Sequence, residues 1–394
     1  MSGSIRQEPN GTFTLQFWFK DPQTGKRQNV KRRGFATKRK AQFAMRELQV
    51  SFDSVGPEAG AKLSVSQYLK DWFDRQAVDK APATNDRYRN AIERHIEPAL
   101  GGIGLVKLSV LNIDNFLASK LKSGLSEETV NGFYRVLNTA LKDAVRWGYL
   151  NKNPAELVSP PKAQPAEKVI MSSDEQARVV AQLIKESDPQ SLFNRRNGAL
   201  SCSFNTILFH LAVLTGLRRG ELAGLQFDDI DEEVGAIHVR RSISQSGRRT
   251  IIKRPKTQRG MRRVVIDQRL MARLIEHKEQ MAAYRTQLGG DWNTQGWLFA
   301  SVDGSVLAPR ALNSRFSKLL ERAGLGGQGY NLHTLRHTHI SQMLMSNAPP
   351  LVVSRRAGHA SVATTMNLYG HVISQIEEGV ISSRLEEIQR SWAS

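Results

Sequence analysis

Asn331-Leu332-His333-Thr334-Leu335-Arg336-His337-Thr338-His339 is the stretch from which the rest of the chain is read. Its spacing predicts a helix that carries His333 and Arg336 on one face, because residues three apart are neighbours on a helical surface. Upstream lies Thr215-Gly216-Leu217-Arg218-Arg219-Gly220-Glu221-Leu222, and downstream come Gly358-His359 and then Tyr369, inside Thr364-Thr365-Met366-Asn367-Leu368-Tyr369-Gly370. Arginines, histidines and a tyrosine thus recur in short motifs along the C-terminal half.

The chain has 394 residues, a length that predicts two to three domains, and a hydrophobic fraction of 40%, enough for folded cores. The formal charge of +19 points to a polyanionic partner, most often nucleic acid. Cys202 is the single cysteine, which excludes an internal disulfide and a cysteine-based zinc site; its apolar helical surroundings make it a packing residue. The N-terminus lacks a charged-then-apolar signal pattern and no apolar run is long enough to span a bilayer, so a soluble, cytoplasmic protein is expected.

The composition and periodicity predict a multidomain α+β chain. Residues 11–20 alternate, with Phe13, Leu15, Phe17 and Phe19 on one side and Thr14, Gln16, Trp18 and Lys20 on the other. A turn over 21–25 leads to a second strand through Val30 that is loaded with Lys26, Arg27, Lys31, Arg32 and Arg33. A helix from Thr37 follows, with Ala41, Ala44 and Leu48 on one face. The expected product, residues 1–55, is a small three-stranded sheet with one helix. Residues 1–60 hold 11 Lys and Arg against 5 Asp and Glu, a net of +6. A sheet of this charge suits the DNA major groove, which admits a β-ribbon. Thr14, Gln16, Trp18, Lys20, Lys31 and Arg32 are its candidate DNA contacts, against the plain alternative of a solvated basic hairpin.

Residues 54–62 read as a linker. Residues 62–155 form a four-helix block: Val65 onward, Ala83 to Ile96 ending at Pro98 and Gly101-Gly102, Val110 to Lys122, and Glu127 to Trp147. A proline-rich linker over 158–165 precedes a larger, mainly helical domain from 168 to 394. Within it Ser173 to Lys185 and Asn205 to Thr215 read as helices, and residues 236–243, 249–253 and 262–266 as a small antiparallel, three-stranded meander with turns at Gly247 and Lys256-Thr257. Ile376, Val380, Ile381, Leu385 and Ile388 give the C-terminal tail an amphipathic spacing that suits docking on a neighbouring subunit.

His333, His337 and His339 lie close together, but no carboxylate joins them in a known metal-ligand spacing. No Gly-x-x-x-x-Gly-Lys-Ser/Thr loop supports ATP use, and the Gly324–Gly329 segment follows a helix rather than a strand. Neither a metal nor any other cofactor is therefore expected. Metal-free phosphoryl transfer fits the residues better. A phosphodiester under attack gathers charge on its non-bridging oxygens, which arginine forks neutralise. A tyrosine oxygen can attack phosphorus and conserve the bond energy in a covalent intermediate, and a lysine on a short turn, such as Lys256, can protonate the leaving oxygen. Each residue alone is better read structurally: Arg218 as a partner of Glu221, His333 and Arg336 as a packed helix pair, Tyr369 as core. It is the order Arg, Lys, His-x-x-Arg, Gly-His, Tyr that is hard to obtain by chance.

These segments, together with Pro255-Lys256-Thr257, Gly358-His359-Ala360-Ser361 and His371, resemble the tyrosine recombinases of the phage integrase family. Ile96-Glu97-Pro98-Ala99-Leu100-Gly101 and Asn153-Pro154-Ala155 resemble that family's helical core-binding domain, and the N-terminal sheet resembles its arm-site-binding domains. The resemblance implies that Tyr369 is the nucleophile, forming a 3′-phosphotyrosyl link, and that Arg218 and Arg336 clamp the scissile phosphate. It further implies that Lys256 is the general acid, with Lys253 close by as an alternative, that His333 and His359 assist proton transfer and bind the phosphate, and that Glu221 orients Arg218. Implied partners are double-stranded attachment-site DNA, a homotetramer assembled on it, a directionality factor and a DNA-bending host protein. A chromosome-dimer resolvase and a type IB topoisomerase share the chemistry but usually lack the basic N-terminal sheet. A non-enzymatic DNA-binding regulator would not need the intact residue set.

Overall fold

The computed structural model describes residues 2–9, 11–20, 27–42, 44–45, 60, 62–77, 80–162, 169–187, 198–247, 249–254, 260–288, 291–301, 303–370 and 385. The chain divides into two compact units, residues 1–165 and 166–394.

The first unit opens with an antiparallel sheet of order β1-β2-β3, formed by β1 (Ser2–Gln7), β2 (Phe13–Lys20) and β3 (Arg27–Phe35). The alternation of β2 turns Leu15 and Phe17 into a small core against Ala44, with Ile5, Val30, Phe35 and Met45 around it. The register slips between Phe13 and Leu15, the mark of a bulge, and there Thr14 is buried at 4% exposure. Thr14 is therefore not the exposed contact that alternation assigns it, although it stands on the strand without the extra residue, which falls in β3 between Arg32 and Phe35. Gln16 and Trp18 are half-buried, Lys31 and Arg32 are exposed, and the side chain of Lys20 lies outside the described residues. Helical turns cover 38–42 and 44–45; Leu48 lies outside the described residues.

Four helices follow in this unit: α1 (Val65–Ala77), α2 (Pro82–Ala91), α3 (Val110–Lys122) and α4 (Glu127–Arg146). Serine side chains accept from the first turns of α3 (Ser109) and α4 (Ser126). The apolar stripes meet in one core containing Val65, Leu69, Trp72, Ile96, Leu137 and Leu141. The Tyr68 hydroxyl donates to the carbonyl of Ala140, and Trp72 Nε1 donates to Asp143 at 2.8 Å, which ties α1 to α4. Pro98 does not end the second helix. A π-turn over Ile92–Ile96 widens the helix, which then runs on through Glu97–Leu100 with Pro98 in the first turn of the new segment. Proline lacks an N–H and crowds the carbonyl four residues back in a regular helix, and it is accommodated here next to the irregular π-turn.

The second unit is built round α6 (Gly198–Thr215), a helix apolar on nearly all sides because α5 (Ser173–Ser187), α8 (Gln268–Leu288), α9 (Pro309–Arg322) and α10 (Leu332–Met345) pack round it. Phe204, Leu208, Leu211 and Ala212 of α6 share a core with Leu274, Phe299, Phe316 and Leu335. After the short α7 (Arg219–Ala223) come β4 (Ile230–Asp231), β5 (Ala236–Val239), β6 (Ser242–Ser246), β7 (Arg249–Lys253) and β8 (Arg262–Val265). They do not make the expected meander. β4, β5 and β8 form one three-stranded antiparallel sheet, while β6 and β7 form a separate hairpin. The run 236–243 breaks at Arg240-Arg241, whose side chains turn back to the buried carboxylate of Asp229. The chain closes with α11 (Pro350–Ala357) and a helix, α12, over 362–370. Among the described residues, no helix is long and apolar enough to cross a membrane. The tail positions Ile376, Val380, Ile381 and Ile388 lie outside the described residues.

Candidate active site

α6 stops at Thr215, and Gly216 takes a left-handed φ of +62°, turning the chain so that Arg218 stands as the N-cap of α7. Glu221, three residues on, accepts from the backbone N–H of Arg218 at 2.9 Å and from Arg218 Nη1 at 2.8 Å. Arg218 Nη2 reaches across to the carbonyl of Gly358 at 2.6 Å. That carbonyl belongs to the left-handed C-cap of α11, a conformation glycine adopts freely.

Glu221 has a second arginine partner that sequence reasoning missed. Arg262, at the start of β8, donates Nη2 to Oε2 at 2.8 Å and Nη1 to Oε1 at 3.1 Å, while its Nε holds the carbonyl of Arg356. Burial raises the pKa of the Glu221 carboxyl. The hydrogen bonds and charges of Arg262 and Arg218 outweigh that and hold it below the usual carboxylate range. Nothing in the sequence links positions 221 and 262; their pairing arises only when β8 passes α7.

Arg336 lies one turn into α10, whose N-cap Asn331 accepts from the N–H groups of His333 and Thr334. Its guanidinium is 2% exposed and donates to two carbonyls, Gly216 from one side and Ala357 from the other, each at 2.6 Å. Burial, and then the neighbouring Arg218 charge, bring its pKa down to about 9, which leaves it cationic at neutral pH. Arg356 completes the frame. It donates to the carbonyls of Val265 and Leu214 and to Nε2 of His339, whose Nδ1 meets the carbonyl of Val213. His339 is accordingly a neutral acceptor here, its pKa lowered to about 4 by burial first and by Arg356 second.

His359 is buried, with Nδ1 2.8 Å from the Thr365 hydroxyl. Burial, then Arg336 and Arg218, lower its pKa to about 4, so at neutral pH it offers a neutral imidazole rather than a cation. Tyr369, on α12, has 0% exposure and sits among Ile340, Leu344, Val353 and Ala357. Burial raises its phenol well above the usual range, and the Arg336 charge draws it partly back. Its hydroxyl lies 2.5 Å from Nδ1 of His337. His333 is exposed, one turn before His337, and the two rings meet edge to face with centroids 4.6 Å apart.

The fold thus brings Arg218, Glu221, His333, Arg336, His359 and Tyr369 to one place, although Arg218 and Tyr369 lie 151 positions apart (369 − 218). Lys256 lies outside the described residues; Lys253 is half-buried at the end of β7. His337, Arg262, His339 and Arg356 are additions. His337 and His339 stand within the run 331–339, where their spacing suggests at most a metal pattern. Three arginines (218, 262 and 336) act on one carboxylate, Glu221, and leave a strongly cationic site suited to an anion.

Residues 176–375 match the phage integrase family, residues 4–52 an arm DNA-binding domain, and residues 64–121 the N-terminal SAM-like domain of phage integrases. The chain belongs to the phage integrase family. Among relatives of this integrase-family chain, a tyrosine recombinase XerC-like protein of Caldanaerobacter subterraneus subsp. tengcongensis is 26% identical over 335 residues, covering 82% of each chain. The ICEBs1 integrase of Bacillus subtilis is 25% identical over 373 residues, covering 94% of this chain and 95% of its own. In fold, the Tn1549 transposon integrase, solved in complex with a circular intermediate DNA, superposes with a TM-score of 0.63 at 19% identity, over 80% of this chain and 99% of that one. The chain is a tyrosine recombinase of the integrase type.

Proposed function

We propose that this integrase cleaves and rejoins DNA through a covalent bond between Tyr369 and the 3′-phosphate at a specific site, freeing a 5′-hydroxyl. The observation that carries this reading is the placing of the Tyr369 hydroxyl against the helix that bears Arg336, whose guanidinium is locked by two carbonyls beside Arg218. Fixed donors stabilise a five-coordinate phosphorus because they need no rearrangement as charge develops. Arg218 and Arg336 hold the non-bridging oxygens, His359 adds a neutral N–H donor, and Lys256 protonates the departing 5′-oxygen. Glu221 and Arg262 keep Arg218 in place. The Tyr369 ring has no exposed area, so its phosphate is reached only after the covering side chains part.

Exchange between two duplexes requires four strand cleavages, and a chain with one such tyrosine per site supplies them as a tetramer on DNA. The basic sheet of residues 1–35 binds arm-type sites through Lys31 and Arg32. The match of residues 4–52 to an arm DNA-binding domain favours an integrase of a phage or mobile element over a dimer resolvase. The element supplies the directionality factor and the host a DNA-bending protein. The test is a nicked suicide duplex incubated in EDTA without ATP. Wild type should form a protein–DNA adduct, and Tyr369→Phe should form none.

A further inference from the structure

We propose that His337 takes the phenolic proton from Tyr369 as the tyrosine attacks phosphorus and returns it when the strand is rejoined; this rests on the reading of Tyr369 as nucleophile. The geometry assigns the task to His337 rather than to the His333 of the His-x-x-Arg motif. Nδ1 of His337 is 2.5 Å from the tyrosine oxygen, whereas His333 stands a helical turn further out and exposed. The Arg336 charge acts on the Tyr369 phenol, so a phosphate held by Arg336 is approached by a hydroxyl that is still beside His337. The two rings, His333 and His337, form a file from the surface to the buried hydroxyl.

A proton acceptor is needed because Tyr369 is enclosed among apolar side chains and does not ionise there unaided. In the tautomer protonated at Nε2, His337 presents a lone pair at Nδ1. As the Oη–P bond forms, the Oη–H bond breaks and the proton passes to Nδ1. The P–O5′ bond breaks and its oxygen takes a proton from a separate acid. In rejoining, the 5′-hydroxyl attacks phosphorus, the P–Oη bond breaks, and His337 gives its proton back to Oη. No oxidant, metal or cofactor enters the balance.

The experiment is single-turnover cleavage of a nicked duplex by the full chain carrying His337→Asn, whose amide oxygen can keep a hydrogen bond to Tyr369 but cannot carry its proton. General-base catalysis contributes roughly 10²–10⁴-fold, so a loss of at least about 10²-fold is expected. Two substitutions locate the defect. Placing 3,5-difluorotyrosine, a more acidic phenol, at position 369 should restore much of the rate. A 5′-bridging phosphorothiolate substrate, whose sulfur leaves without protonation, should not. Cleavage by His337→Asn at the wild-type rate or faster would overturn the proposal, and in the faster case His337 restrains the tyrosine. Rescue by the sulfur substrate alone, or by neither change, would overturn it too. If instead Tyr369→Phe forms an adduct, it is the nucleophile assignment that fails.

Discussion

Arg262 meets Glu221 with both ends of its guanidinium, Nη2 to Oε2 at 2.8 Å and Nη1 to Oε1 at 3.1 Å, and the side chains of both are buried. Removing one partner of such a pair costs about 3–5 kcal/mol where the buried charge is left unpaired, and less here because Arg218 still bonds Glu221. Arg262→Ala should therefore lower the urea midpoint and, by loosening Glu221, slow cleavage through Arg218. Arg262→Lys keeps the charge but loses the fork, and should recover only part of both. Equal loss in the two variants would show that the fork geometry, not the charge, is what Glu221 requires.

Gly216 is the backbone counterpart of that pair. Its φ is +62°, a Cβ there would lie 2.5 Å from Cδ2 of His339, and its carbonyl holds Arg336. Gly216→Ala should cost more than about 1 kcal/mol of stability. Because the shift needed moves an anchor of Arg336, adduct formation should fall as well. Denaturant unfolding and single-turnover cleavage measure the two effects.

The depressed histidines set an acid limit on folding. His339 and His359 have folded pKa values of about 4 against an ordinary 6.5. Between those values the unfolded chain binds protons that the folded chain refuses, so the histidines' share of stability falls as pH drops from about 6.5 and stops changing near 4, where the loss carried by Glu221 takes over. Urea midpoints measured over that range should show the slope, and His339→Gln should make it shallower. The same shift keeps His359 neutral from about pH 6 to 8, so no part of a rate change in that range should disappear in His359→Asn.

Much of this was open to reading because it is written in local patterns. The stripe of α1, the spans of α3 and α4, and the Gly-Leu-Arg motif before α7 each show themselves within a few residues. What stayed hidden depends on partners distant in the chain. The split of the expected meander follows from arginines 240 and 241 turning to Asp229, and the register slip between β2 and β3 beside Thr14 is one that strict alternation cannot show. Arg262 had no motif to mark it. His337 was in plain view, but its partner lies 32 residues on, on another helix.

The burial of Thr14 gives the N-terminal sheet a contrast of its own. Lys31→Ala with Arg32→Ala should weaken arm-site binding and reduce the slope of log affinity against log salt by about 1 for each phosphate no longer neutralised. Thr14→Ser should leave both unchanged. Fluorescence anisotropy over a salt series reads both quantities.

The most direct measurement is of where the DNA becomes attached. Wild-type protein trapped on a nicked duplex, digested with nuclease and trypsin, should yield a nucleotide-bearing peptide spanning 357–384, in which Tyr369 is the sole tyrosine. Fragmentation should place the phosphate on Tyr369. A nucleotide on any other residue, or an adduct that persists in Tyr369→Phe, would contradict the account.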